Sequence, residues 1–251
     1  MNLQYSSLAS YYDKLNAHID YEQWADFLVA RFREGGIPSG SLVLDLACGT
    51  GNITLPLLKR GYDMIAIDVS PEMLDCGRKK PDGDKVLWLC QDMRFFELYG
   101  TVAAVVCCLD SINYITGKQG LKKCFSLVHN YLDPNGLFIF DVNSPYKFKN
   151  VYGENQYVME APGVYCGWKN HFDRKTGLCD FELSLFAEDL NTGLYRRYDE
   201  LQRERCWRTD TLSSFLNDSG FHIISISDGF QMNPVGNETE RIFFICRAEK
   251  N

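Results

Sequence analysis

The sequence holds no long apolar run, no basic block and no metal-ligand spacing. Its longest apolar stretch, Val102 to Leu109, is far shorter than the roughly 20 residues a helix needs to cross a bilayer. No five consecutive positions carry Lys or Arg, and the net charge is −7, so nothing concentrates positive potential for a phosphate backbone. Arg196, Arg197, Arg203, Arg205 and Arg208 interleave with Asp199, Glu200 and Glu204 and read as mixed surface charge. The ten cysteines contain no Cys-x-x-Cys pair and the four histidines are scattered, so no metal site is expected. Met1 to Ser7 lacks a basic segment followed by an apolar core, which predicts a cytoplasmic chain with reduced thiols. Only 8 of the 251 residues are proline and 45% are hydrophobic, the composition of a globular domain that folds on its own. A small-molecule partner is expected, with nucleic acid and membrane disfavoured.

What is present is periodicity. Leu8, Tyr12, Leu15 and Ile19, then Trp24, Phe27, Leu28 and Phe32, recur at helical steps and predict two amphipathic N-terminal helices, the second ended by Gly35-Gly36-Ile37-Pro38. Strand and helix then alternate: strand 42–46, helix 52–60, strand 64–67, helix 71–80 with Ser70 as cap and Pro71 at its first position, strands 86–89 and 102–109, helix 118–131, and strand 137–142 after the turn Asp133-Pro134-Asn135-Gly136. Such alternation gives a parallel sheet covered on both faces. The rhythm breaks after Asn143. Strand-like runs 164–172, 179–188 and 194–206, parted by Lys175-Thr176-Gly177 and Asn191-Thr192-Gly193, predict an antiparallel meander. Helix 209–217 and strands 222–227 and 241–246 close the chain.

The first strand-loop-helix unit is Val43-Leu44-Asp45-Leu46-Ala47-Cys48-Gly49-Thr50-Gly51-Asn52-Ile53-Thr54. Gly49 and Gly51 let the backbone turn sharply at the carboxyl edge of the sheet and approach a ligand closely. A dinucleotide fold usually places a third glycine where Thr54 stands and has no use for an acid within the preceding strand. The segment resembles motif I of the class I S-adenosylmethionine-dependent methyltransferases, and the likeness extends over most of the chain outside the meander.

The resemblance implies a cofactor, S-adenosyl-L-methionine, leaving as S-adenosyl-L-homocysteine. It implies that the loop of Asp45, Ala47, Cys48, Gly49 and Gly51 passes under the methionine part, with Asp45 organising its ammonium end. Asp68 ends the second strand, 23 residues after Asp45, where a carboxylate can accept both ribose hydroxyls. Val69 follows it, and Met73 is placed against the adenine, with plain helix core as the alternative. Gln91-Asp92-Met93 resembles the adenine-binding segment, Asp92 accepting the exocyclic amine, although an Asp at a strand end also caps helices. Leu109 and Asp110 stand at the edge that faces the methyl group, and the absence of an Asn/Asp-Pro-Pro-Tyr/Phe segment there counts against base methylation. Tyr12 and Trp24 resemble the lid of small-molecule methyltransferases, with amphipathic helix core as the alternative.

The fold class expected is therefore α/β, Rossmann-like and doubly wound, with a mostly parallel seven-stranded sheet and an inserted antiparallel β meander. Residues 1–38 would form a helical lid, 39–145 and 207–251 the cofactor-binding core, and 146–206 a subdomain that covers the substrate or makes a subunit contact, in a monomer or homodimer. Methyl transfer is an in-line displacement at a carbon already activated by positive sulfur, so it leaves little trace in sequence. Asp110, Tyr114 and His171 are the candidates if a base is needed. The competing readings are an RNA methyltransferase acting on tRNA, a noncatalytic S-adenosylmethionine-binding protein, and an NAD-dependent oxidoreductase.

Overall fold

The computed structural model describes residues 8–250; Met1 to Ser7, on which the expectation of no export segment rests, and Asn251 lie outside the described residues. The elements run α1 (Ala9–Leu15), α2 (Tyr21–Glu34), β1 (Leu42–Leu46), α3 (Thr54–Lys59), β2 (Asp63–Asp68), α4 (Pro71–Arg78), β3 (Leu87–Cys90), β4 (Val102–Cys107), α5 (Lys118–Tyr131) and β5 (Leu132–Asn143). A π-helical turn, Lys147–Tyr152, leads into β6 (Gln156–Ala161), β7 (Val164–Asp173), β8 (Leu178–Glu188) and β9 (Tyr195–Arg205). The chain ends with α6 (Thr209–Asp218), β10 (Phe221–Asp228) and β11 (Arg241–Ala248). Ser70 caps α4 as expected, accepting the Met73 N–H, with Pro71 in the first turn.

Seven strands form one sheet in the order β10-β11-β5-β4-β1-β2-β3, and only β11 runs antiparallel to its neighbours. Construction runs outward from β1 through β2 to β3 on one side and through β4 to β5 on the other. The reversal between β1 and β4 opens a crevice at their carboxyl ends, the position where open α/β sheets bind ligands. One face buries Leu44, Val105, Phe138 and Phe140 against Phe125 of α5 and Phe215 of α6, and the other buries Val43, Ala66 and Val106 against Phe27, Leu28 and Phe32 of α2.

The remaining strands form a separate sheet, β6-β7-β8-β9, antiparallel throughout. β6 joins the three strands expected there; it alternates half-buried and exposed residues with none fully buried, so its apolar period is weak in sequence. The turn expected at 133–136 is an excursion inside β5: Leu132 pairs with Val102 and Leu137 with Ala104, and Asn135 takes the left-handed conformation between them.

The two N-terminal helices do not form one lid. Leu8 and Leu15 pack with Phe148 of the π-helical turn and with Phe172 and Phe181 on the meander, whereas α2 packs onto the seven-stranded sheet. No helix among the described residues is long and apolar enough to cross a membrane.

Candidate active site

A cavity of about 450 Å³ lies in the crevice. Its wall is built in chain order from the ends of successive strands: Ala47 to Thr50 after β1, Asp68 and Val69 at β2, Gln91 to Arg94 after β3, and Cys108 and Leu109 after β4. Loops at strand ends can bend toward a ligand while the sheet fixes their roots.

The glycine loop turns through left-handed positions at Ala47 (φ 62°), Gly49 (φ 55°) and Gly51 (φ 77°). The two glycines have different duties. A Cβ on Gly49 would meet nothing within 4 Å, so its face is open to the cavity, and its N–H donates to Asp68 Oδ2 at 2.8 Å. A Cβ on Gly51 would stand 2.5 Å from the Trp88 ring, and Gly51 does not line the cavity. What the structure gives Gly51 is a packing role: it lets the loop close onto the indole.

Asp45 and Asp68 form the acidic side of the cavity. Asp45 is buried and accepts the Thr54 hydroxyl at 2.6 Å, which gives a role to the residue standing where a dinucleotide fold carries its third glycine. Burial, reinforced by the Asp68 charge, raises its carboxyl pKa to about 7 despite that bond. Asp68 accepts the N–H groups of Gly49 and, at 2.9 Å, Ser70, while burial raises its pKa. Neither carboxylate has an ion-pair partner among the described residues. Two buried acids without a cation, beside an uncovered backbone turn, fit a ligand that brings an ammonium and hydroxyl donors.

Met73 is 2% exposed on α4 and also forms part of the cavity wall. Gln91 is held in place by Glu97, whose N–H its Oε1 accepts at 2.7 Å. Asp92 lines the cavity next to Met93, but its carboxylate is gripped by Arg94, whose backbone N–H donates at 2.8 Å and Nε at 2.9 Å. These bonds outweigh burial and lower its pKa.

Past β4 the backbone is forced. Leu109 (φ 58°) and Asp110 (φ 56°) are consecutive left-handed residues, a conformation costing on the order of 1–3 kcal/mol each without glycine. Buried Asp141, on β5, holds them there, accepting the N–H of Leu109 at 2.7 Å and of Asp110 at 2.9 Å. Arg241 of β11 bonds Asp141 in turn and reaches Asp110 Oδ1 at 2.8 Å. This clamp aims Leu109 into the cavity and turns the Asp110 carboxylate toward Arg241, so Asp110 is not in the lining. Asp141 and Arg241 escaped the sequence reading; the signal available was an acid near the carboxyl end of a central strand.

Tyr12 and Tyr21 close the cavity from the N-terminal side, and burial pushes both phenol pKa values up. Trp24 does not join them. It lies 5.1 Å from Phe230 and 5.2 Å from Phe243, ring centre to ring centre, because the apolar stripe of α2 faces the sheet. His171 is likewise removed from the site: it is at an outward position of β7, exposed, with Nδ1 3.0 Å from Glu154. Tyr114, on the 3-10 turn Ser111–Tyr114, does line the cavity, and its hydroxyl donates to Gln202 Oε1 at 3.0 Å.

The methyltransferase domain family matches residues 43–136, the stretch that carries every lining residue of this cavity except Tyr12 and Tyr21. Over nearly its whole length the chain is similar to YqeM of Bacillus subtilis (strain 168), 30% identical over 248 residues that make up 98% of each protein. The crystal structure of an S-adenosylmethionine-dependent methyltransferase from Clostridium acetobutylicum ATCC 824 superposes with a TM-score of 0.87 at 33% identity, covering 98% of this chain and 99% of that one. The chain belongs to the class I S-adenosylmethionine-dependent methyltransferases. The methyltransferase also shares its fold with the sugar N-methyltransferase KedS8 from Streptoalloteichus sp ATCC 53650, at 20% identity and a TM-score of 0.79 over 100% of this chain and 95% of that one. The cofactor of the methyltransferase is S-adenosylmethionine, and the acids and open glycine face of the cavity suit it.

Proposed function

We propose that this methyltransferase acts on a small-molecule acceptor held between the Leu109–Tyr114 edge of the cavity and the inner face of the meander. The observation that carries this reading is the enclosure of that edge. Tyr12 covers it from α1, and β9 lies against it through the Tyr114–Gln202 bond, leaving no broad basic surface for a nucleic acid. KedS8 acts on a sugar by its own name, which fits a compact acceptor.

In this reading Asp68 receives the ribose hydroxyls, Asp45 faces the ammonium end, and Ala47, Cys48 and Gly49 support the methionine chain. Met73 and Val69 flank the adenine beside Gln91, Asp92 and Met93, and Leu109 borders the sulfur. Bound there, the cofactor supplies a methyl carbon already activated by its sulfonium. The residues of the chain then have to align the nucleophile and exclude water, the work assigned to Leu109, Tyr114 and Tyr12. The meander covers the acceptor, and α1 shares one apolar cluster with it. All ten cysteines are free, in keeping with a cytoplasmic setting.

The test is turnover: incubation with labelled S-adenosylmethionine and a panel of small amines and alcohols, with bulk tRNA in parallel. Label transfer to a small acceptor and none to tRNA is expected; transfer to tRNA alone would overturn the reading.

A further inference from the structure

The inner face of β9 carries polar residues where a purely structural strand would carry apolar ones. Gln202 is 6% exposed and Glu204 3% exposed, and both point at the seven-stranded sheet while Arg203 between them points out. Glu204 Oε2 accepts the Asn143 amide at 3.2 Å. Its other oxygen has no hydrogen bond, and the carboxylate has no ion pair, among the described residues. Lys147 does not supply one: its Nζ donates to Asn143 Oδ1 at 3.0 Å, so the amide stands between the cation and the acid.

This acid lies behind the turn that lines the cavity. Asn113, in the middle of that turn, donates to the Arg205 carbonyl at 2.8 Å and accepts the Asn143 N–H at 3.0 Å, and its neighbour Tyr114 holds Gln202. Around it, Asp110 and Asp141 are both matched to Arg241. The local set is therefore the carboxylates Asp110, Asp141 and Glu204, with Glu240 also acting on Lys147, against two cations, Arg241 and Lys147. Burial, reinforced by the Asp110 charge, raises the Glu204 pKa, and a cation arriving beside the acid would favour its charged form.

Resting on the reading of the acceptor side given above, we propose that Glu204 recognises the acceptor and that the acceptor is a small-molecule amine. The chemistry matches the charge. An amine that arrives as an ammonium gives up one proton, to the Glu204 carboxylate or to water, before it can react; its lone pair then forms the new N–C bond while the S–C electron pair stays on sulfur, so the positive charge passes from sulfonium to nitrogen and a proton is shed afterwards. A carboxylate beside that nitrogen meets a growing cation; beside a neutral hydroxyl it would not. On the same inner face, Trp168 Nε1–H and Asn170 Oδ1 are buried without partners among the described residues.

The experiment is calorimetric titration of the full-length protein saturated with S-adenosylhomocysteine, using ethanolamine, glucosamine and benzylamine, each against the alcohol of the same skeleton. Expected are binding of at least one amine, weaker binding of its alcohol, and a loss of about tenfold or more in Glu204→Gln with partial recovery in Glu204→Asp. The affinity of both variants for S-adenosylhomocysteine should be unchanged, which certifies their fold. Alcohols binding as well as amines, an unchanged amine affinity in Glu204→Gln, or no binding by any amine would overturn the proposal. If the wild-type protein failed to bind S-adenosylhomocysteine, the reading of the cavity itself would fall with it.

Discussion

The carboxylate of Asp13 accepts a 2.6 Å hydrogen bond from the hydroxyl of Thr50, joining α1 to the glycine loop. The same carboxylate takes the Asn52 amide at 2.8 Å and pairs with Lys80 at 2.6 Å. Burial raises the Asp13 pKa, but these partners together bring it below the ordinary value. A helix of only 7 residues is too short to stay folded alone, so this latch and its apolar contacts set how firmly α1 covers the cavity. Asp13→Ala should release it: stopped-flow displacement should show S-adenosylhomocysteine leaving about tenfold faster, for roughly 1.5 kcal/mol of charge-assisted bonding lost. An unchanged rate would mean that the other contacts of the helix, Leu8 and Leu15 among them, hold it without this latch.

Gly49 and Gly51 separate binding from packing. Gly51→Ala puts a methyl 2.5 Å from Trp88 in a left-handed position and should lower stability by about 2–3 kcal/mol. Gly49→Ala meets open space and should cost about 1 kcal/mol of stability while weakening cofactor binding more than that. Thermal denaturation and cofactor titration on the two variants check this; equal loss of both properties in both variants would contradict it.

Asp45 should make cofactor affinity depend on pH. Its pKa near 7 means that the acid is largely protonated at pH 6 and charged at pH 8, and an ammonium ligand favours the charged form. Affinity for S-adenosylhomocysteine should therefore rise over that interval and be flat in Asp45→Asn. Stability of the ligand-free protein should move the other way. The folded pKa lies above the unfolded value near 4, so the folded state holds more protons between the two, and stability is lost as pH rises through 7. Asp45→Asn, which cannot charge, should remove that part of the slope in a melting series at pH 5 to 8.

The Asp141 clamp should prove to be a stability element first. Asp141→Ala leaves Arg241 with Asp110 as its remaining acid and frees two left-handed residues, for a loss of about 3–5 kcal/mol. Asp141→Asn retains one acceptor oxygen and should lose less. Urea denaturation of both variants gives the comparison, and identical midpoints to wild type would sink the clamp.

The strand ends of the site were legible because each carries its acid on a short buried run: Asp45, Asp68 and Asp92 could be placed from β1, β2 and β3 in turn. The sheet and its insertion were legible for the same reason, through periods of alternation and turn residues. What escaped depends on long-range pairing. Asp141 and Arg241 meet across 100 positions, and Glu204 reaches Asn143 across 61, so no local pattern marks them. Trp24 and Tyr12 looked alike as helical aromatics; only the direction of each helix against its sheet sends one into the core and the other into the cavity. His171 failed by one position of strand alternation, since Asn170 and Phe172 on either side point inward.

The most direct test of the account is a crystal structure with S-adenosylhomocysteine bound. The account predicts both ribose hydroxyls on Asp68, the ammonium toward Asp45, and the sulfur beside Leu109 facing Tyr114 and the inner face of β9. A ligand whose sulfur points instead toward Asn52 and Lys80, away from the meander, would contradict it.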